Sequence, residues 1–194
     1  PRRVRGKHHT DMWLDALPTE AAPVRMPLPL YGIAEAQAAM PGEGWVLLSP
    51  WSDALAKQWH VEGWCAVADR ALALGYKVAV AGPPPSAKMC AAIARDTCLN
   101  LVGKDTSDTW PALLARAGLV VTTDSASCHV ADALDIPVVG LYGPTTTDEF
   151  GPYWNRTRCV SADRMANIDP QAVCAAVERW HVQAGVSQPA ARCA

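Results

Sequence analysis

The stretch Leu119-Val-Val-Thr-Thr-Asp124-Ser125-Ala126-Ser127-Cys128-His129-Val-Ala-Asp-Ala-Leu-Asp-Ile-Pro137-Val-Val-Gly-Leu-Tyr142-Gly143-Pro144-Thr145 decides the fold. Leu119 to Thr122 reads as a strand whose apolar run, Leu119-Val120-Val121, is the pattern of burial on both faces. Polar residues follow, and a helix is expected from about Ser127 to Leu134. Val138 to Tyr142 is a second buried strand, and Gly143-Pro144 breaks it and turns the chain. Two fully apolar strands joined through a helix make a right-handed parallel βαβ unit.

The same alternation extends in both directions. Upstream, Trp45 to Leu48 reads as a strand. Val61, Trp64, Ala68, Ala71 and Leu72 recur at helical spacing, with Gly75 in the usual place behind a helix. Val78 to Ala81 is a strand, Ser86 to Arg95 a helix, and Leu99 to Val102 a short strand. Asp108 to Ala117 is a helix with Pro111 in its first turn and Gly118 behind it. Downstream, Arg158 to Val160 is a further strand. In the last helix Asp169 is the cap, Pro170 the first position, Val173, Val177 and Trp180 the apolar stripe, and Gly185 the end. The expected fold is α/β, a doubly wound parallel sheet (Rossmann-like), over residues 42–185. Residues 1–41, punctuated by Pro18, Pro23, Pro27, Pro29 and Pro41, read as a connector. Within it a short helix over Asp11 to Leu17 would place Trp13, Leu14 and Leu17 on one face. Residues 186–194 read as a disordered tail. No internal repeat is visible.

Composition agrees with a globular chain. Of 194 residues half are apolar and 19% are charged, with a net charge of −2. That balance excludes a disordered chain and any global pull toward nucleic acid or anionic membrane. Arg2, Arg3, Arg5 and Lys7 form a basic cluster, best read as a solvated tail. The seven cysteines include no C-x-x-C pair. They read as small apolar residues in a reducing compartment, not as a zinc site or disulfide framework. No apolar run approaches the roughly 18–20 residues of a membrane span. A cytoplasmic location is expected. The sequence begins at Pro1 instead of Met, as a processed product, an excised domain or a fragment would.

In doubly wound sheets ligands bind outside the carboxyl ends of the strands. After the first strand, Ser52 and Lys57 offer a hydroxyl and a positive charge suited to phosphate. A solvated surface lysine is the plainer alternative. After the Leu119 strand, Asp124, Ser125, Ala126 and His129 sit at a helix start, where unbonded N–H groups and the helix dipole favour an anion. Asp124 and Ser125 also suit helix capping without any ligand. After Tyr142, Thr145, Thr146 and Thr147 can bond phosphate or sugar, or cap a short helical turn. Ser125, Asp124 and His129 are too close in sequence for a hydrolase triad, and no G-x-S-x-G elbow exists. G-x-G-x-x-G, Walker and H-E-x-x-H motifs are absent, as is the D-x-D pair with which many sugar transferases hold a metal. Any diphosphate would then be met by Lys57, His129 and backbone dipoles, without a metal or cofactor.

Taken together, these pieces resemble the family 9, heptosyltransferase-like, glycosyltransferases. Asp124-Ser125-Ala126-Ser127-Cys128-His129 is similar to the family's Asp-Ser/Thr-Gly-x-x-His turn, followed by the Ala-rich helix, the strand led by Pro137 and the Gly143-Pro144-Thr145 loop. Gly151-Pro152-Tyr153 fits as well. Pro50 followed by Lys57-x-Trp59 and Trp64 resembles the family's donor-phosphate loop, and Asn100 to Lys104 with Leu113-Leu114 its next motif. The resemblance covers most of Trp45 to Trp180, in order.

The resemblance implies the C-terminal half of a two-domain GT-B architecture. This half would bind a nucleotide sugar, typically ADP-heptose. An N-terminal domain would bind a saccharide or lipopolysaccharide-core acceptor and supply the general base, so this chain alone would be inactive. Transfer would be inverting and metal-independent. Lys57 would neutralise the leaving diphosphate. Ser52 would bond it from a loop one residue shorter than the family pattern. Asp124, Ser125, Ala126, His129 and Thr145 would line the donor pocket. The whole enzyme would work at the cytoplasmic face of the inner membrane, and a separated half would expose a surface prone to self-association.

Three departures stand against the pattern. Ala126 replaces the usual glycine, which matters if the backbone approaches phosphate closely or adopts a positive φ. Gly82-Pro83-Pro84-Pro85-Ser86 lacks the acidic residue that often contacts the nucleoside. The acceptor domain is missing from the sequence. A non-catalytic nucleotide-sugar-binding module is therefore the main alternative. Another GT-B enzyme, such as a nucleotide-sugar epimerase, is the more distant one. Trp59, Trp64 and Trp110 are assigned to packing.

Overall fold

The computed structural model describes residues 5–18, 22–25, 27–104, 106–155 and 158–184. Helices α1 (His9–Asp15) and α2 (Ile33–Ala39) precede strand β1 (Trp45–Ser49), which passes through a 3-10 turn at Leu55–Lys57 into α3 (Val61–Ala73). Next come β2 (Lys77–Val80), a 3-10 turn at Pro84–Ser86, α4 (Ala87–Ala94), β3 (Leu99–Asn100) and α5 (Trp110–Leu114). The chain continues with β4 (Leu119–Thr123), α6 (Ala126–Ala133), β5 (Val138–Tyr142), α7 (Thr147–Phe150), β6 (Val160–Ser161) and α8 (Pro170–Gln183).

Among the described residues these six strands form one sheet in the order β3-β2-β1-β4-β5-β6, with every pairing parallel. Leu47 stands opposite Ala79 on one side and Val120 on the other. The winding direction reverses between β1 and β4, and a crevice opens at such a switch point outside the strands' carboxyl ends.

Strand alternation divides the core between the two faces. Val46, Leu48, Val78, Val80, Leu119, Val121 and Leu141 pack beneath α3, α4 and α8. Leu47, Ala79, Val120, Val138 and Tyr142 pack beneath α2, α5 and α6. Each fully buried Leu or Val contributes roughly 1.5–3 kcal/mol by leaving water. In α3 the buried residues Gly63, Trp64, Val67, Ala68 and Ala71 form one stripe. Behind it Gly75 takes φ +87°. The Gly75 and Tyr76 N–H groups donate to Leu72 O and Ala71 O, closing the left-handed cap that only glycine adopts without strain. At α8 the Asp169 carboxylate accepts from the Gln171 N–H at 2.9 Å. Gly185, read as that helix's end, and the tail 186–194 lie outside the described residues.

Three local differences from the sequence reading have simple causes. Helix α5 starts at Trp110 because the Thr106 and Thr109 hydroxyls bond locally: the Thr106 N–H donates to Thr109 Oγ1 at 2.8 Å. Strand β6 lies at Val160–Ser161, not from Arg158, where it pairs with Leu141 and Tyr142. Helix α2 was not expected. Its flanking prolines and alanine-rich stretch carry little periodicity, yet Met40 behind it is fully buried and Ala36 nearly so.

Helix α1 is close to its expected place but presents a different face. Trp13 and Leu17 are exposed, while Met12 is buried. The docking contacts come from residues on the Met12 side. His8 Nδ1 accepts the Thr10 N–H, so Nε2 carries the proton and donates to Gly151 O at 2.9 Å. The Tyr153 hydroxyl donates to Asp11 Oδ1 at 2.8 Å, and the Gly6 N–H to Glu149 Oε1 at 2.8 Å. The N-terminal segment is thereby strapped to the chain following β5.

Candidate functional site

A cleft of about 980 Å³ opens at the carboxyl ends of β1, β2 and β4, at the switch point of the sheet. Its first wall is the loop after β1, carrying Trp51, Ser52 and Lys57. That loop is pinned rather than loose. Gln58 Nε2 donates to Ser52 O at 2.8 Å, and Thr123 Oγ1 to Trp51 O at 3.3 Å. The second wall is largely apolar and is built from Pro83, Pro84, Trp110 and Pro111. The floor is Asp124 to Ser127, where β4 passes into α6.

At the floor the polar groups face one another. Lys57 Nζ lies 2.7 Å from Asp124 Oδ2, and the carboxylate side chain is 6% exposed against 28% for the lysine. The Thr145 hydroxyl donates to the same oxygen, also at 2.7 Å. Ser49 Oγ and Ser127 Oγ are 2.9 Å apart, and Thr122 Oγ1 and Ser125 Oγ 3.0 Å apart. Ser125 is the N-cap of α6, but its side chain makes no capping hydrogen bond. Capping therefore does not account for Asp124 or Ser125. One is spent on Lys57 and Thr145, the other on Thr122, and the first N–H groups of α6 remain uncapped by a side chain at the cleft floor. Such a helix end favours an anion.

Among the described residues the charged groups lining the cleft are Asp53, Lys57 and Asp124, one ammonium and two carboxylates beside the α6 N-terminus. Among the described residues no cluster of three or more His, Cys, Asp or Glu side chains could hold a metal ion.

The structure brings Ser52, Lys57, Asp124, Ser125 and Ala126 together in the cleft. Ala126 opens α6 in helical conformation and is not among the non-glycine residues with positive φ, so no left-handed backbone is demanded of it. Its methyl is exposed at the cleft. Thr145 and His129 are not cleft-lining residues. Thr145 reaches the site only through Asp124. Helical spacing places Ala126, Ser127 and Val130 toward the cleft and turns His129 aside. Although the His129 side chain reaches solvent, the protein around its ring desolvates it and lowers its pKa, against the opposing pull of Asp124 and Asp132.

Trp59 and Trp64 are buried in the core as assigned. Trp110 packs against the other core face and also lines the cleft, so packing is only half of its placement. Trp51 was missed as a lining residue, and Pro83 and Pro84, noted only for the acidic residue that their loop lacks, line the cleft as well. Their position directly after β1 and β2 was the available signal. Thr106 and Ser107 carried none. Six described cysteines are free; burial holds the Cys128 thiol far above its ordinary pKa and pushes Cys159 up to about 12. Among the described residues no helix is long and apolar enough to cross a membrane.

Fold and cleft together define a doubly wound α/β domain with a polar-floored cleft at its switch point. Residues 16–179 match the model of glycosyltransferase family 9 (heptosyltransferase), and the chain belongs to that family. It is 30% identical over 121 residues to the lipopolysaccharide core heptosyltransferase OpsX of Haemophilus influenzae, covering 60% of this chain and 35% of that protein. It is 31% identical over 112 residues to lipopolysaccharide heptosyltransferase 2 of Escherichia coli, covering 54% and 32%. The matched region thus spans about a third of the length of these relatives. Among solved structures, a family 9 glycosyl transferase from Veillonella parvula superposes with a TM-score of 0.82 at 21% identity, over 94% of this chain and 62% of that one. The E. coli heptosyltransferase WaaC with ADP superposes with a TM-score of 0.63 at 21% identity, over 71% and 44%.

Proposed function

We propose that this chain is the nucleotide-sugar-binding part of an inverting, metal-independent glycosyltransferase that moves heptose from ADP-heptose to a lipopolysaccharide-core acceptor. One observation carries the reading: Lys57 and the uncapped N-terminus of α6 converge on the cleft floor at the sheet's switch point. An ammonium and a helix end are what a departing diphosphate requires in place of a metal, and such preorganised contacts are worth about 3–4 kcal/mol in a transition state. The apolar wall of Pro83, Pro84 and Trp110 suits the flat face of a nucleoside base. The general base would be a residue other than those described at this cleft, and the work would be done at the cytoplasmic face of the inner membrane.

The test is calorimetric titration of the chain with ADP, UDP and GDP. ADP is expected to bind, and Lys57→Ala to weaken it about 10- to 100-fold, the worth of one charge-assisted hydrogen bond. Binding of UDP or GDP in place of ADP would remove heptose from the proposal. A second reading, a degenerate module that binds no donor, is favoured by the Ala126 methyl at the start of α6. Absence of binding by all three nucleotides would select it.

A further inference from the structure

Thr145 stands on the Gly-Pro-Thr turn after β5, outside the cleft, yet its hydroxyl ends on the cleft's charged pair. We propose that Thr145 is a positioning residue: by donating to the Asp124 oxygen that Lys57 also contacts, it keeps the Lys57 ammonium available to a bound diphosphate. The proposal rests on the donor-binding reading above.

The Asp124 carboxylate is almost sealed from water, so protein groups must meet its charge. A single ammonium at 2.7 Å in such surroundings would be held tightly, because Coulomb attraction strengthens as the local dielectric falls. A second donor on the same oxygen divides that attraction. It also leaves Asp124 with a partner when an incoming anion draws Lys57 away, and an unpartnered buried carboxylate is the costly alternative. Both effects have the same sign. Loss of the hydroxyl tightens the Lys57–Asp124 pair and weakens diphosphate binding.

The fold fixes this geometry from both sides. The Asp124 N–H donates to Leu141 O at 3.1 Å, tying the start of α6 to β5. A Cβ on Gly143 would stand 2.4 Å from Met165 N, so the turn that carries Thr145 is seated closely against the chain after β6. Asp53, on the same loop as Lys57, shares the cleft, and the His129 ring on α6 interacts with both members of the pair.

Two measurements on the chain test this. In the first, Lys57 is acylated with trace acetic anhydride, without ligand, and its labelling is read by peptide mass spectrometry against the exposed Lys88. Thr145→Val is expected to lower relative labelling of Lys57 several-fold, and Thr145→Ser to restore it. In the second, inorganic pyrophosphate is titrated. Thr145→Val is expected to weaken binding about fivefold, near the worth of one net hydrogen bond, with no further loss in a Lys57→Ala background. Thr145→Ala serves as the hydroxyl-free variant if the valine protein does not fold. Unchanged Lys57 labelling in the hydroxyl-free variants overturns the positioning role, even where pyrophosphate binds. Suppressed labelling restored by serine, in a protein that binds no pyrophosphate, upholds the positioning role and overturns the donor-binding reading instead.

Discussion

Gly143→Ala isolates the seating of the loop that completes the charged pair. Gly143 does not adopt a positive φ, so the case rests on space alone. An alanine Cβ there would lie 2.4 Å from Met165 N and 2.9 Å from Arg164 C, both backbone atoms. Ordinary contacts sit near 3.5–4.0 Å, so the overlap is about 1 Å or more, and no flexible side-chain tip is available to yield. Overpacking typically costs 1–3 kcal/mol, and backbone obstruction argues for the upper end, about 3 kcal/mol. For a chain of this size that corresponds to a Tm lowered by about 6–12 °C. Thermal unfolding followed by circular dichroism reads it directly. Gly118→Ala is the control. Its Cβ would meet Trp180 Cζ2 at 3.5 Å, an ordinary contact, and Gly118 has no positive φ. It should shift stability by less than about 1 kcal/mol, in either direction. A Gly143→Ala protein melting within about 2 °C of wild type, or no lower than Gly118→Ala, would refute the steric argument.

Two further outcomes follow from the site. Ala126→Gly removes the methyl at the α6 start, and it should raise pyrophosphate affinity while costing up to about 1 kcal/mol of stability as glycine enters a helix; unchanged affinity would show that the methyl obstructs nothing. His129 has a lowered folded-state pKa, so its contribution to stability is present above the unfolded value of about 6.5 and is lost as pH falls through the folded value. Comparing denaturation midpoints at pH 7.5 and 5.5, His129→Gln should lose less stability on acidification than wild type, and equal losses would contradict the shift.

The two stability experiments probe different layers of the molecule. Gly143 tests packing between the β5 and β6 loops, a contact between segments distant in sequence. His129 tests the surroundings of the α6 start, where burial lowers the pKa of the ring against the pull of Asp124 and Asp132.

Much of the fold was legible because burial on both faces leaves a continuous apolar run. Val46 to Leu48, Val78 to Val80, Leu119 to Val121 and Val138 to Tyr142 announce parallel strands, and the helical spacing of Trp64, Ala68 and Ala71 announces the cover. Gly75 and Asp169 marked helix boundaries because capping is a local chemistry. Helix α2 was hidden, since it buries mainly Ala36 and the Met40 behind it and so carries no stripe. The cleft was legible in outline, because polar residues immediately after buried strands collect at one edge of the sheet.

Local sequence thus determined most of the elements, the parallel sheet and the edge at which Lys57 and Asp124 would gather. Only the tertiary structure decided what those groups touch. The order β3-β2-β1-β4-β5-β6 sets β1 beside β4 and β4 beside β5, which brings the Lys57 loop, Asp124 and Thr145 onto one oxygen. It also turned Trp110 and three prolines into a wall and His129 away from the cleft. Periodicity records which face of an element is buried. A polar group's partner depends instead on strand order and loop seating, which are properties of the whole chain.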